Sequence, residues 1–420
     1  MRSPRVARTT PIVVAAALAL TACSGGGGDV ESGAASGGSD TVTIWVMGDS
    51  SAHFDELVAP FEEESGIDVK TVAVPWDGID QKFTTAVASG DGPDVLQIGV
   101  SKLRNFGESG ALMVLDDATI SGYDNLATDN FIDGVSGDAT AVGGKIISIP
   151  WVGDTRVLFY RSDILEEAGI SEPPATWEEL RADAKTLSDR GNDQYGYYIP
   201  QWDSGLPVIM TWSQGGDIVD PDGTIDFGTP AFAKTTELYA GFYDDQSVPT
   251  DADFDQTQGF TSGATPIVVS GPYLANAIRE AAPELDGKWS AAPIPSDKDN
   301  VSLLAGSSLA VWGSTSHKES SLQLLNYLSD PETQLKWYDI DSQLPTVKAA
   351  LEDDAITSDP LSAVYATQLM NARVLPMVPN WDGETGKAML DALNSIVLNG
   401  QSQDEALAGL VATTSGTSVQ

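Results

Sequence analysis

The chain has 420 residues, of which 41% are hydrophobic, and this length exceeds what a single compact core usually holds. Its 22 basic and 61 acidic side chains give a formal net charge of −39, which repels phosphate backbones and anionic lipid and so argues against nucleic acid as a partner. The single cysteine, Cys23, excludes an intramolecular disulfide, and the two distant histidines argue against a zinc site or a histidine-based triad. No motif predicts a catalytic residue, a metal site or a cofactor.

Residues 1–22 have the pattern of an export signal rather than of a folded element. Three arginines precede a short apolar run that ends at Leu20, and this run is too short for an ordinary membrane span. The Leu-Thr-Ala-Cys sequence that follows resembles the lipobox of bacterial lipoproteins, which implies cleavage before Cys23 and lipidation of that residue. A plain secretory signal with an incidental cysteine is the alternative. Residues 23–40 are rich in Gly and Ser and predict a flexible linker after the anchor.

The folded part opens with alternating strands and helices. Strands are predicted at residues 41–47, 67–74 and 94–98, with one helix between the first two strands and another at about 79–89. This order predicts parallel βαβ units. Because ligands of such sheets bind beyond the carboxyl ends of the strands, the loops 48–51, 76–77 and 99–102 become candidate contact loops.

The most informative stretch runs from Gly143 to Leu180. Residues 146–149 predict a strand that breaks at Pro150, and a polar and aromatic turn at 151–154 leads to a second strand at 157–160. A helix is predicted at 163–168, and Thr176 with Glu179 forms a capping box at the start of the next helix. Further helices are predicted at 230–243 and 402–410.

This stretch carries a family resemblance. Its GGK-x3-IPW-x2-DTRVLFYR and PPATWEEL patterns resemble the extracellular solute-binding proteins of ABC importers, in the carbohydrate-binding branch. The segments ASGDGPDVLQIG, 258–273, 292–338 and 343–346 share the resemblance, which covers nearly all of residues 41–410. It implies an α/β, two-lobed periplasmic-binding-protein-like fold, with a ligand cleft between the lobes and a hinge of several crossing segments. The implied lobes are residues 41–153 plus 303–344 and residues 154–302 plus 345–420.

Candidate ligand-binding residues come from the resemblance and from the strand ends. Sugars offer an apolar C–H face, which stacks on aromatic rings, and hydroxyl groups, which pair with charged or amide side chains. The aromatic candidates are Trp76, Trp151, Trp202, Tyr273 and Trp381, and the polar candidates are Asp49, Ser50, Asp77, Asp154, Ser307 and Asn380.

Each candidate also has an ordinary structural explanation. A lone tryptophan is more often a packing residue than a ligand contact. Asp154 could instead form a turn or pair with Arg156, and Asp77 could cap the helix that follows it. Many sugar-binding relatives carry an acid near the third loop, where this chain has Gly99, so the hydrogen bond of that acid is in doubt here.

The implied function is that of a substrate-binding lipoprotein of an ABC importer. Such a protein captures a sugar, here expected to be an oligosaccharide, between two closing lobes and delivers it to a membrane permease. The implied partners are the carbohydrate, the permease and the membrane itself through Cys23, with the protein monomeric on the extracytoplasmic face. Two alternatives stay open: a binder of a polyamine or glycerol phosphate, and a lipid-anchored glycosidase, which would need two opposed carboxylates that no motif marks.

Overall fold

Strands and helices alternate at the start of the folded part, as the sequence predicts. The structure is a computed structural model that describes residues 40–76, 78–251 and 253–419, apart from the side chains of Asp49 and Asp138. The predicted export signal and the linker up to residue 39, with Cys23, therefore lie outside the described residues.

The strands are β1 (Thr41–Met47), β2 (Asp68–Val74), β3 (Val95–Gly99), β4 (Ala141–Val142), β5 (Lys145–Ile146), β6 (Ile149–Thr155), β7 (Val157–Tyr160), β8 (Tyr197–Tyr198), β9 (Ile267–Ser270), β10 (Ser290–Ala292), β11 (Ser302–Val311), β12 (Leu344–Pro345) and β13 (Ala372–Val374). The α-helices are α1 (Ser51–Ser65), α2 (Ile79–Ser89), α3 (Leu103–Glu108), α4 (Asp117–Ile120), α5 (Ser162–Glu167), α6 (Trp177–Ser188), α7 (Gly205–Ser213), α8 (Pro230–Asp244), α9 (Gln256–Ser262), α10 (Tyr273–Ala281), α11 (Lys318–Leu328), α12 (Pro331–Asp341), α13 (Lys348–Leu351), α14 (Asp354–Thr357), α15 (Pro360–Leu369), α16 (Thr385–Asn399) and α17 (Gln403–Thr414).

The larger sheet has the strand order β12-β6-β11-β3-β1-β2, and β13 pairs with β11 beside this path. β1 pairs in parallel with β2 and with β3, which confirms the predicted βαβ units. β11 returns antiparallel to both β3 and β6. The carboxyl ends of β1, β2 and β3 therefore lie at one edge of this sheet.

The smaller sheet has the order β10-β7-β9-β8. Its strand β7 follows β6 of the larger sheet after a single residue, Arg156. Ser302 fixes this crossing, because its hydroxyl group donates a hydrogen bond of 2.9 Å to the Arg156 carbonyl oxygen. The chain thus passes from one sheet to the other at Arg156.

The alternation of side chains across each sheet separates three buried cores. On β1, Val42, Ile44 and Val46 belong to a central core that also includes Phe54, Trp151, Trp337 and Phe159. Trp45 and Met47 face the opposite way into the α2–α3 core, which contains Phe83, Leu103 and Phe106. On β7 of the smaller sheet, Leu158 belongs to the α6–α8 core, which contains Trp177, Phe232, Val378 and Trp381. The central core therefore lies against one face of each sheet.

Several predicted element boundaries are confirmed. Helix α1 ends at Gly66 in the left-handed conformation, and α2 and α8 cover the predicted residues. The Thr176 capping box is present, with both of its hydrogen bonds formed. The predicted break at Pro150 is wrong, because β6 continues to Thr155. The register of β6 against β11 shifts between Pro150 and Val152, so that Trp151 is an extra residue in a β-bulge, a position that a proline tolerates.

The lobe boundaries stay a prediction, since residues 39–420 form one compact unit. Among the described residues, no helix is both long and apolar enough to cross a membrane. Within the same part of the chain, no group of His, Cys, Asp or Glu side chains is arranged to hold a metal ion.

Candidate ligand-binding site

A cavity of about 360 Å³ lies beyond the carboxyl ends of β2 and β3, and we call it the inner cavity. It is lined on one side by Trp76, Gly99 and Ser101 and on the other by residues 202–205 and Trp381. The chain crossing contributes Arg156. The inner cavity thus lies between the edge of the larger sheet and helices of the α6–α8 core.

Trp76 joins the three loops at the strand ends. A Cβ atom on Gly48 would lie 2.8 Å from Nε1 of Trp76, and one on Gly99 would lie 3.3 Å from Cζ3 of the same ring. The indole therefore lies against two glycines, and 52% of the residue remains exposed. Because Gly99 has no side chain, the Trp76 ring can occupy the space beside it.

The opposite wall is built from the segment before α7 and the segment before α16. Trp202 is 63% exposed and lines the inner cavity. Trp381 is almost buried, and its Nε1 donates a hydrogen bond of 2.9 Å to Oγ of Ser204. Gly386 allows this arrangement, because a Cβ atom there would lie 2.7 Å from Nε1 of Trp381. Trp381 is thus held by packing and a hydrogen bond, whereas Trp202 presents an exposed ring.

Charged groups meet at the chain crossing. Nε of Arg156 lies 3.7 Å from Oδ2 of Asp203, and both side chains are largely buried. A Cβ atom on Gly271 would lie 2.6 Å from Nη1 of Arg156 and 3.3 Å from Oδ1 of Asp154, so this glycine lets the two side chains approach. Oδ1 of Asp154 is buried and has no hydrogen-bond partner among the described residues.

Burial and charge shift the pKa values of this group. Burial raises the pKa of the Asp154 carboxyl to about 6, although the Arg156 cation and a backbone hydrogen bond at Thr155 oppose the rise. Burial alone would lower the pKa of the Arg156 guanidinium, but the carboxylates of Asp203 and Asp154 raise it above its ordinary value. The Arg156 guanidinium therefore stays charged, whereas the neighbouring Asp154 carboxylate gains too little from its surroundings to offset its burial.

The structure brings together some of the predicted residues. Trp76, Trp202 and Trp381 line the inner cavity. Asp154 lies behind Arg156, and Tyr273 is half-exposed beside Gly271, with its ring 3.3 Å from a Cβ atom built on that glycine. Asp77 and the side chain of Asp49 lie outside the described residues.

Four other predicted residues lie elsewhere. The cleft prediction for Trp151 is wrong, because its ring is 1% exposed and packs between Phe54 and Trp337 in the central core. Ser307 is buried in the larger sheet, where its hydroxyl group accepts a hydrogen bond of 2.7 Å from Gln97.

The hydroxyl group of Ser50 is also engaged away from the cavity, since it donates to Asp341 over 2.6 Å and accepts from Gln343 over 2.6 Å. Asn380 is exposed and donates to Glu384 over 3.1 Å. None of these four residues lines the inner cavity in the described part of the chain.

The sequence analysis missed Asp203 and Ser204 as site residues. Their position directly before α7 is typical of helix caps, and this hides any other role. Asp203 does accept a hydrogen bond of 2.8 Å from the Gly205 amide, but its second oxygen faces Arg156. The adjacent Trp202, itself a candidate, could have pointed to Asp203, because an aromatic ring beside a carboxylate is a combination that suits a sugar.

A second cavity of about 840 Å³, the outer cavity, adjoins the inner one. Arg104 and residues 374–377 line both cavities. The outer cavity also has a charged wall, where Arg373 donates to Asp217 over 2.6 Å and stacks 4.8 Å from the centre of the Trp212 ring. The cleft is therefore longer than the inner cavity alone.

A family model described as "Bacterial extracellular solute-binding protein" matches residues 46–335. The chain belongs to this family. It is 28% identical over 354 residues to the diacetylchitobiose binding protein DasA of Streptomyces coelicolor, with 81% of each chain covered. It is 23% identical over 393 residues to a maltooligosaccharide ABC transporter solute-binding lipoprotein of Streptococcus pneumoniae, with 88% of each chain covered.

A solved structure of the sugar-binding protein MalE from Xanthomonas citri matches with a TM-score of 0.82 and 28% identity, over 89% of this chain and 96% of that one. This likeness confirms the predicted α/β, two-lobed fold of periplasmic binding proteins. Membership of the family confirms that the chain is a solute-binding protein rather than an enzyme, and that it acts outside the cytoplasm.

Proposed function

We propose that this protein is the substrate-binding component of an ABC importer for a saccharide, and that the inner cavity is its binding site. One observation carries the proposal: three tryptophan rings and the Arg156–Asp203 pair line the same cavity. Relatives named for diacetylchitobiose and for maltooligosaccharides support the ligand class.

The side chains suit a sugar in two ways. The exposed rings of Trp76 and Trp202 offer flat apolar surfaces for the C–H face of a pyranose. Arg156 and Asp203 offer a charged donor and a charged acceptor for hydroxyl groups, and such hydrogen bonds are about twice as strong as neutral ones. A cation and a carboxylate side by side favour a neutral ligand over a polyamine or a phosphate.

Closure of the lobes about the crossing at Arg156 would trap the ligand. Asp154 lies behind Arg156 and does not line the inner cavity, so closure would have to bring a ligand hydroxyl group to its buried, unpaired Oδ1. Tyr273, beside the same glycine, would close the aromatic wall.

The same proposal includes a lipid anchor and a permease partner. The Leu-Thr-Ala-Cys sequence supports lipidation at Cys23, and the pneumococcal relative is named a lipoprotein. We expect a monomer on the outer face of the membrane that presents its closed form to the permease. A labelled fatty acid should be incorporated into the wild type and not into Cys23→Ala, whereas equal labelling of the two proteins would contradict the anchor.

The ligand class is tested by calorimetric titration of residues 24–420 with mono- and oligosaccharides, and with polyamines and glycerol phosphates as competing classes. A saccharide should bind, and Trp202→Ala should weaken it by about 2 kcal/mol or more, because a ring that stacks centrally on a ligand is an energetic hot spot. Tyr195→Ala is the matched control, since it removes an aromatic ring that lines neither cavity. Binding of a polyamine or phosphate with no response to any saccharide would refute the ligand class.

A further inference from the structure

Arg104 makes an unusual set of contacts for a residue on a short helix. Its Nη1 donates hydrogen bonds to the carbonyl oxygen of Met377 over 2.5 Å and to that of Ser418 over 3.3 Å. Its Nε donates to Oε1 of Glu108 over 2.8 Å, one turn further along α3. The acceptors at Met377 and Ser418 are 273 and 314 residues away in sequence. Only 13% of the Arg104 side chain is exposed, so these are shielded contacts of a charged donor.

The two ends of this contact belong to different cores. Helix α3 is held by Leu103 and Phe106 in the α2–α3 core of the larger sheet. Met377 directly precedes Val378, a buried member of the α6–α8 core, and Val419 after Ser418 packs against the same core. One side chain therefore connects segments that belong to the two sides of the cleft.

Arg104 also stands between the two cavities. It lines the inner cavity of about 360 Å³ and the outer cavity of about 840 Å³, together with the segment 374–377 to which it is bonded. The guanidinium and this segment thus form the partition between them. The inner cavity lies at the lower end of the usual range for ligand pockets, about 300–1,000 Å³, whereas the two cavities together exceed that range.

We propose that Arg104 is a tie across the cleft that holds the two sides together and, by separating the inner from the outer cavity, limits the length of the ligand. The part about ligand length rests on the proposed saccharide function. The part about the tie does not, because the acceptors of Arg104 are protein carbonyl oxygens. The side chain acts as a specificity-determining residue: it hydrogen-bonds to protein carbonyl groups and leaves room for a short saccharide on one side of it.

Hydrogen–deuterium exchange of the ligand-free protein tests the tie. Arg104→Ala removes both carbonyl contacts, and hydrogen bonds to a charged donor correspond to about a tenfold to hundredfold change in an opening equilibrium. Amides of residues 374–375, 377–378 and 417–419 should therefore exchange at least about tenfold faster, including that of Val419, which is bonded to the Gly223 carbonyl over 2.9 Å. Arg104→Lys keeps the charge but not the fork of donors, and should give a smaller increase.

Lys185→Ala is the matched control, since Lys185 pairs with Asp245 on the surface and lines neither cavity. It should leave both segments unchanged. Circular dichroism spectra equal to that of the wild type would verify that each variant is folded. Exchange rates in Arg104→Ala equal to those of the wild type would overturn the tie, whether or not any sugar binds.

Titration with two oligosaccharide series tests the partition: maltose to maltoheptaose, and the chitin series from diacetylchitobiose, with two sugar units, to the oligomer with six. The wild type should gain less than about threefold in affinity once the ligand fills the inner cavity, whereas Arg104→Ala should continue to gain, by about tenfold or more, as further units enter the merged cavity. Identical length dependence in both proteins would overturn the partition. If neither series binds either protein, the length limit fails together with the saccharide proposal, and the exchange rates alone decide the tie.

Discussion

Replacing Asp154 by Asn should stabilise the ligand-free protein at neutral pH and weaken its binding of ligand. Burial raises the pKa of this carboxyl in the folded protein to about 6 from an ordinary value of 3.8. Because the folded-state pKa lies above the unfolded one, the folded protein holds this proton more tightly. The resulting stabilisation is complete below the unfolded value and is lost as the pH rises through about 6.

The size of the effect follows from the shift. A difference of about two pKa units corresponds to about 3 kcal/mol, at about 1.36 kcal/mol per unit. The free energy of unfolding of the wild type should thus fall by up to about 3 kcal/mol relative to that of Asp154→Asn between about pH 4 and pH 7. Asn has nearly the same shape and carries no charge, so it escapes the cost of burying an unpaired carboxylate.

Urea unfolding at a series of pH values between 4 and 7 measures this difference, since the free energy of unfolding varies linearly with urea. Asp391→Asn is the matched control: that carboxylate is exposed and pairs with Lys387 on the surface, where removal should change stability by less than about 1 kcal/mol. Parallel pH profiles for the wild type and Asp154→Asn would refute the reasoning. Unchanged ligand affinity in Asp154→Asn would remove Asp154 from the site.

Two further substitutions test the assignment of the aromatic residues. Trp151→Ala should lower the free energy of unfolding, measured in urea, by about 3–5 kcal/mol, because the ring packs against Phe54 and Trp337 in the central core. The ligand affinity of the folded fraction should stay within about twofold. A loss of affinity in fully folded protein would instead place Trp151 in the cleft. Gly99→Ala would bring a Cβ atom within 3.3 Å of the Trp76 ring. Ligand affinity should therefore fall by about threefold or more in calorimetric titration, with less than about 1 kcal/mol lost in the free energy of unfolding. Unchanged affinity would show that the Trp76 ring carries no ligand contact.

The part of the site that the sequence predicts is the part that strand order determines. Parallel strands end at the same edge of a sheet, so the loops after β1, β2 and β3 had to meet, and they meet at the ring of Trp76. Trp202 and Trp381 became candidates because the family resemblance placed them at the cleft. The family resemblance added the crossing segment, which the structure places at Arg156.

The residues that were misplaced depend on details that alternation does not reveal. A proline followed by a tryptophan predicts a turn, but β6 accommodates the pair by a bulge at Trp151 and remains in the sheet. Ser307 stands beside a glycine in a segment that resembles the family, yet its hydroxyl group faces Gln97 of β3. The contact of Arg104 with Met377 joins residues 273 positions apart, so only the three-dimensional structure shows it.

Arg104 and Asp154 oppose each other in the energetics of closure. A ligand shifts the balance between open and closed forms only through contacts that are stronger in the closed form. The proposed Arg104 tie uses protein carbonyl oxygens as acceptors, so it would favour closure equally whether the cleft is empty or filled, and it would set the starting balance. The carboxylate of Asp154 behaves differently, because its buried oxygen is unpaired until a ligand hydroxyl group reaches it. A ligand that satisfies this oxygen recovers part of the roughly 3 kcal/mol that burial costs at neutral pH. In the proposed site, Asp154 would therefore add to the ligand dependence of closure that stacking on the Trp76 and Trp202 rings supplies.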